Sequence, residues 1–369
     1  MLLFKSTILV ALLAAITSGT PVAKRHEKYI AYPVERGDAS IKRRYEQGSF
    51  DGFQDGRANY FTNLKLGSNK QEVSVMIDTG SSLLNIPQTG SQCLGGECAN
   101  GVAFDPNEST TFKNLSKFTK GYYGGGGAVY VTGFQSTDDF YFDGGKKLPN
   151  FEFTLLNHTF YARGLLGIAP STDTNTSYVE SVKKAGYINK AGFSLYTTND
   201  QQGTFLLGGV DKAKFEGELA IYNSKLSIPA KSLTTANGSV LDFPAEIQLD
   251  SGSSGIIIDP VIVDQINKEV SGKDGKISCD IALSGDKKFT FDLGQGVKID
   301  VPYSDAFYWN ADKTKCGSRI SKTTAHYTTQ NVGIPLIKHT YLTHNYETGN
   351  LGVAPVKHTD ESNIVDFWF

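Results

Sequence analysis

Apolar and polar residues alternate with a period of two through much of the chain, in short stretches closed by turn residues. Tyr60-Phe61-Thr62-Asn63-Leu64-Lys65-Leu66 and Glu72-Val73-Ser74-Val75-Met76-Ile77 are separated by Gly67-Ser68-Asn69-Lys70, which predicts two antiparallel strands and a tight turn. The second strand runs directly into Asp78-Thr79-Gly80-Ser81-Ser82. Later, Ala245-Glu246-Ile247-Gln248-Leu249 leads into Asp250-Ser251-Gly252-Ser253-Ser254, followed by Gly255-Ile256-Ile257-Ile258. An apolar strand feeding Asp-(Thr/Ser)-Gly-Ser-Ser thus occurs twice, once in each half. Helical patterning is scarce. Ser177 with Glu180 three residues on forms a capping-box pattern ahead of a short helix, and Asp259-Pro260 opens a second one over Val261–Val270.

Composition agrees with a mostly β chain rich in turns: 39 Gly, 22 Phe and 18 Tyr against two Met in 369 residues. That length suggests two lobes, each able to bury a core. The boundary is expected near Thr198–Gln202, giving an N-terminal lobe over 45–199 and a C-terminal lobe over 200–369. A formal charge of −2 gives no electrostatic case for nucleic acid.

The first residues, 1–19, carry Lys5, an apolar run from Ile8 to Ile16, and then Thr17, Ser18 and Gly19. This is the pattern of a secretory signal peptide. No other stretch is long and apolar enough to span a bilayer, and the C-terminal tail is too short for a lipid-anchor signal, so a secreted, extracellular product without a membrane anchor is expected. Dibasic pairs at Lys24-Arg25 and Arg43-Arg44 read as processing sites, with 20–44 as a propeptide and His26 or Tyr45 as the mature N-terminus. Residues 1–44 hold eight Lys/Arg and three Asp/Glu, leaving a body of formal charge −7. A basic leader on an acidic body can act as an electrostatic plug, with Lys28, Arg36, Lys42, Arg43 and Arg44 set against the cleft.

Four cysteines in a secreted chain suggest two disulfides, with three possible pairings. Cys93 and Cys98 are close in sequence, and Cys279 and Cys316 lie far from them. The six His show no metal-ligand spacing, and neither a metal nor an organic cofactor is expected. Glycosylation sequons at Asn107, Asn114, Asn157, Asn175 and Asn237 predict surface loops if used.

The paired motifs carry the chemistry. A carboxylate at the base of a cleft needs donors that accept its burial, and the N–H groups of Gly80 and Gly252 and the hydroxyls of Ser81 and Ser253 are placed to supply them. Thr79 and Ser251 would bond across to the opposite loop. If the two loops face one another, Asp78 and Asp250 cannot both ionise cheaply and share one proton.

These motifs resemble those of the pepsin-like aspartic endopeptidases, especially secreted yeast and fungal ones, over roughly residues 57–356. The resemblance implies a mostly β, bilobal acid-protease fold with a few short helices and an active-site cleft between the lobes, with catalytic Asp78 and Asp250 and with Gly80, Gly252, Ser254 and the flap residues Tyr123 and Gly124 binding substrate. It implies disulfides Cys93–Cys98 and Cys279–Cys316. FTKGYYGGGG, Phe118–Gly127, is similar to the family's flap hairpin, which puts the flap tyrosine at Tyr123, followed by Gly124. Gly164-Leu165-Leu166-Gly167 and Asn331-Val332-Gly333 hold the places of the segments passing beneath each Asp. Protein or peptide substrates, pepstatin-type inhibitors and a monomer follow from the same likeness.

Four positions depart from the pattern. Asn85 stands where the family has the Trp that bonds the flap tyrosine, Gly125 and Gly127 replace polar flap residues, and Asn331 begins a segment that usually reads Ile-Leu-Gly-Asp. A flap without its aromatic anchor is expected to be loosely held. The competing readings are a catalytically weak or silent pepsin-like protein that binds peptides and a lectin-like or structural β-sandwich with coincidental turns.

Overall fold

The computed structural model describes residues 29–38, 58–93, 96–97, 103–123, 129–143, 145–160, 163–171, 177–283, 285–310, 312–325 and 327–369. The signal segment, most of the expected propeptide, both candidate N-termini (His26 and Tyr45), Cys98, Asn175 and the flap tip with Gly124, Gly125 and Gly127 lie outside them.

The predicted hairpin is present. Ala58–Leu66 pairs antiparallel with Gln71–Asp78 in the register Phe61↔Met76 to Leu66↔Gln71, and Gly67 (φ +84°) begins the turn between them. Val73 through Asp78 are buried on both faces, so this strand reads as a nearly continuous apolar run, as a strand covered on both sides must.

Among the described residues these strands belong to a 14-stranded sheet that runs through both halves. From Gln71–Asp78 it continues through Gly164–Gly167, Leu84–Cys93, Lys147–His158 and Val129–Tyr141 to Lys113–Tyr123 at one edge. The other way it passes Ala58–Leu66, Ile30–Asp38, Gln202–Leu207, Gly192–Thr197, Thr340–Asn345 and Asn350–Pro355 to Ala220–Asn223. The expected lobe boundary falls in the turn between Gly192–Thr197 and Gln202–Leu207, which pair antiparallel.

One member of this sheet comes from inside the expected propeptide. Ile30–Asp38 pairs with Gln202–Leu207 through Ile30↔Leu207 to Glu35↔Gln202, and with Ala58–Leu66 through Glu35↔Phe61 to Asp38↔Ala58. Val34 is 1% exposed, Tyr32 stacks on Phe205 with centroids 6.0 Å apart, and its hydroxyl meets that of Tyr178 at 2.7 Å. Of the five basic residues expected against the cleft only Arg36 is described. It stands in this strand opposite Tyr60, and its N–H bonds the Gln201 carbonyl.

The second half adds a five-stranded sheet in the order Ser227–Ile228, Ile247–Leu249, Gln330–Val332, Ile256–Ile258, Ile320–Lys322. A four-stranded sheet, Val240–Asp242, Ser232–Thr234, Lys288–Gly294 and Val297–Pro302, lies beyond it. Both predicted helices form. Ser177 caps Tyr178–Lys184 by accepting from the Glu180 N–H at 3.2 Å, and Asp259 caps Pro260–Val270, which buries Ile262, Val263, Ile266 and Val270. Cys279 and Cys316 are bonded, with Cα atoms 5.5 Å apart. Cys93 is also in a disulfide. Asn107, Asn114, Asn157 and Asn237 are exposed.

Candidate active site

Each half builds its carboxylate loop with the same three strands. Gln71–Asp78 lies parallel to Gly164–Gly167, with Asp78 opposite Gly167, and Gly164–Gly167 lies antiparallel to Leu84–Cys93. In the second half Ile247–Leu249 lies parallel to Gln330–Val332, which lies antiparallel to Ile256–Ile258. The Gly167 N–H bonds the carbonyl of Leu83, five residues past Asp78, and the Gly333 N–H bonds that of Gly255, five past Asp250, both at 2.9 Å. No side chain fits at either glycine: a Cβ on Gly167 would lie 2.5 Å from the Leu83 nitrogen, and one on Gly333 would strike the Ser253 carbonyl.

The two loops meet through four reciprocal hydrogen bonds. Thr79 Oγ1 donates to the Leu249 carbonyl at 2.8 Å and accepts from the Ser251 N–H at 2.9 Å. Ser251 Oγ donates to the Ile77 carbonyl at 2.8 Å and accepts from the Thr79 N–H at 3.1 Å. Both side chains are wholly buried, so the bonds are shielded from competing water. Asn59 adds a further tie across the junction, donating from Nδ2 to the carbonyls of Ser251 and Gly252 at 3.1 and 3.2 Å.

This clamp brings the carboxyl groups of Asp78 and Asp250 together, so close that a Cβ on Gly252 would meet an oxygen of each. A Cβ on Gly80 would lie 2.8 Å from Asp250 Oδ1, and one on Gly252 would collide with Asp78 Oδ1. Glycine at the third position of each motif therefore makes room for the other half's carboxylate. The Gly80 N–H donates to Asp78 Oδ1 and the Gly252 N–H to Asp250 Oδ1, both at 2.8 Å. Ser81 Oγ donates to Asp78 Oδ2.

At Ser253 the expected symmetry breaks. Its hydroxyl pairs with the Gly255 backbone at 3.4 Å rather than with Asp250. Asn331 takes that place, donating from Nδ2 to Asp250 Oδ2 at 2.6 Å. Ser254 is half-buried in the same turn. Burial first, then the negative charge of Asp250, holds Asp78 well above the ordinary carboxylate range, outweighing the donors Ser81 and Gly80.

The flap corrects a second expectation. Asn85 does not leave Tyr123 without a partner: its Nδ2 donates to the Tyr123 hydroxyl oxygen at 2.5 Å. Asn85 itself is only 4% exposed. The Tyr123 ring packs on the cluster Phe61, Met76 and Leu165 and lies 5.9 Å from the Phe160 ring. Burial, then the charge of Asp78, pushes its hydroxyl up to about 12. Tyr122 is 63% exposed, so Tyr123 is the inward-facing tyrosine of the hairpin.

Asn59 and the contacts made by Asn331 and Asn85 are not visible in single motifs. Aligning the two halves strand by strand would have exposed the last two, because it sets a polar residue against an apolar counterpart at each place. Among the described residues no three His, Cys, Asp or Glu side chains gather as a metal-binding group. No helix among them is long and apolar enough to cross a membrane.

Comparison with known proteins agrees with this arrangement. The family described as "Eukaryotic aspartyl protease" matches residues 59–356, a span that holds both carboxylate loops and the flap. Candidapepsin-3 of Candida albicans is 29% identical over 272 residues, covering 68% of this chain and 67% of that protein. Candidapepsin-2 of Candida parapsilosis is 30% identical over 304 residues, covering 77% and 72%. Secreted aspartic protease 6 of Candida albicans is 30% identical over 337 residues, covering 83% and 78%. With the duplicated strand-and-loop unit already in place, the match assigns the chain: it belongs to the eukaryotic aspartyl protease family and is an aspartic-type endopeptidase.

Proposed function

We propose that the chain is a secreted endopeptidase that hydrolyses protein and peptide substrates at acid pH through Asp78 and Asp250. The observation that carries the reading is the juxtaposition of two carboxyl groups, one from each half, held by mirrored loops, a placement in which one proton between them is favoured. In this scheme the ionised carboxylate takes a proton from a water molecule whose oxygen attacks the scissile carbonyl carbon, while the protonated carboxyl donates to the carbonyl oxygen. Collapse of the tetrahedral intermediate breaks the C–N bond, and the departing amine takes the proton removed from water. Burial serves the step by keeping one carboxyl protonated far above its usual range. Tyr123, fixed by Asn85, closes the site from the flap side.

A silent peptide-binding protein would have no need of two adjoining carboxyls, one of them buried, that must share a proton, so the site supports catalysis. Export rests on the leader's pattern and on the likeness to secreted aspartic proteases. A monomeric enzyme inhibited by pepstatin-type compounds completes the proposal. Digestion of denatured haemoglobin or casein tests it: turnover confined to acid pH and abolished by pepstatin is expected, and a profile peaking above neutrality would contradict it.

A further inference from the structure

Alignment of the halves through their strand registers pairs residues that no sequence motif pairs. Leu165 lies opposite Met76, two residues before Asp78, and Asn331 lies opposite Gln248, two residues before Asp250. Across the antiparallel step Asn85 faces Leu165, and Ile257 faces Asn331. Each half thus sets one asparagine against one apolar residue, but on opposite strands. In the first half the asparagine reaches the flap tyrosine. In the second it reaches the catalytic carboxylate itself.

We propose that Asn331 is a positioning residue for the reaction, holding the outer oxygen of Asp250 so that the single negative charge of the Asp78–Asp250 pair is met by a fixed donor. The inference rests on the dyad reading above and deepens it. Ser81 serves Asp78 while its counterpart Ser253 turns away to the Gly255 backbone, so the outer oxygen of Asp250 depends on the amide. Asn331 Nδ2 carries two hydrogens. One of them goes to Asp250 Oδ2 at 2.6 Å.

An ionised carboxylate can only accept, so this donor favours a pair that carries one negative charge, and a bond to an ionised acceptor is short and strong. The cost falls on the other end of the amide. Asn331 Oδ1 is buried with no hydrogen-bond partner, an unfavourable state that a leucine like Leu165 would avoid. An amide that uses its donor and abandons its acceptor is placed for the donor. The titratable groups facing Asp250 are Asp78 from the first loop and Tyr327 from the loop preceding Gln330–Val332, with Tyr123 beside Asp78. Both tyrosines are neutral in acid, which leaves the Asp78–Asp250 pair as the system the amide biases.

The test is the pH dependence of kcat/KM on one peptide for the full chain and its variants. Asn331→Leu should move the acid limb up by about one pH unit, a tenfold weaker hold on the negative charge of the carboxyl pair. It should lower kcat about tenfold with KM little changed. Asn331→Gln, which keeps the donors, should bring the limb back toward wild type. Asn331→Ala gives the same readout should the leucine variant not fold. An unmoved limb in the leucine and alanine variants, or equal shifts in leucine and glutamine, overturns the proposal, since a packing role alone would lower activity without displacing the limb. Asp250→Asn runs alongside. If it is inactive while Asn331→Leu keeps the wild-type limb, only the role of Asn331 fails; if it is active, the dyad fails and Asn331 with it.

Discussion

Replacing Asp78 by Asn should change the way stability depends on pH, because two buried groups pull that dependence in opposite directions. Asp78 is held far above its ordinary value of 3.8 by burial and by Asp250, so from about pH 4 upward the native state binds a proton that the unfolded chain has released. Stability therefore falls with rising pH, by up to about 1.4 kcal/mol per unit. His344 acts oppositely. Wholly buried against Phe193 and Tyr346, it is pushed by burial from 6.5 down to about 4, against a backbone contact at Gly349. Between those values the unfolded chain binds the extra proton, and stability rises with pH by the same slope. The wild-type curve should then be nearly flat from about pH 4 to about 6.5 and fall beyond it. Asp78→Asn should leave the His344 slope alone, giving a rise of roughly 3 kcal/mol over that window and a plateau above it. Asp305 does not blur the result: although burial opposes it, His339 and Lys338 hold its carboxyl below the usual range, so what it contributes is lost only below about pH 4. Urea unfolding followed by Trp fluorescence at constant ionic strength, with intact mass checked at each pH, measures the curves. Parallel curves for wild type and Asp78→Asn would refute the reasoning.

Asn85→Leu removes the donor to the Tyr123 hydroxyl and should lower kcat/KM on short peptides about tenfold, for a lost bond of about 1.4 kcal/mol; Tyr123→Phe should behave alike, the double variant should add little, and Tyr122→Phe should be neutral, whereas additive losses would disprove the pairing. A chain begun at Tyr45 lacks Ile30–Asp38, and the segment YEQGSFDGFQDGR has no alternating apolar set to replace Ile30, Tyr32 and Val34. Burial of Val34 and the Tyr32 ring is worth roughly 3 kcal/mol or more, so calorimetry should find a midpoint lower by about 6 °C or more, recovered by a peptide spanning 26–38, while an unchanged midpoint would show that the strand is dispensable.

The carboxylate loops were legible because their chemistry is local: Gly80 and Gly252 bond the Asp two residues back, and Ser81 the Asp three back, offsets that any copy of the motif displays. The clamp between Thr79 and Ser251 was legible because the motif occurs twice. Asn331 was not, since it reaches Asp250 across 81 residues of sequence, and only strand register shows which side chain faces the pair. Asn85 is legible as a substitution, but its partner is not. Losing an aromatic anchor suggested a loose flap, yet a shorter side chain carrying an N–H still reaches the Tyr123 oxygen. Ile30, Tyr32 and Val34 show the period of a strand, but they lie within a basic leader, whose charge suggests masking of the cleft and says nothing of strand pairing.

The central claim is that two carboxyls act as one site, and it is tested most directly by peptide hydrolysis in Asp78→Asn and Asp250→Asn across the acid range. Each substitution leaves the loop able to form but removes one of the two proton carriers, so each alone should reduce kcat at least a thousandfold, about 4 kcal/mol or more. Activity within tenfold of wild type in either variant would contradict the account.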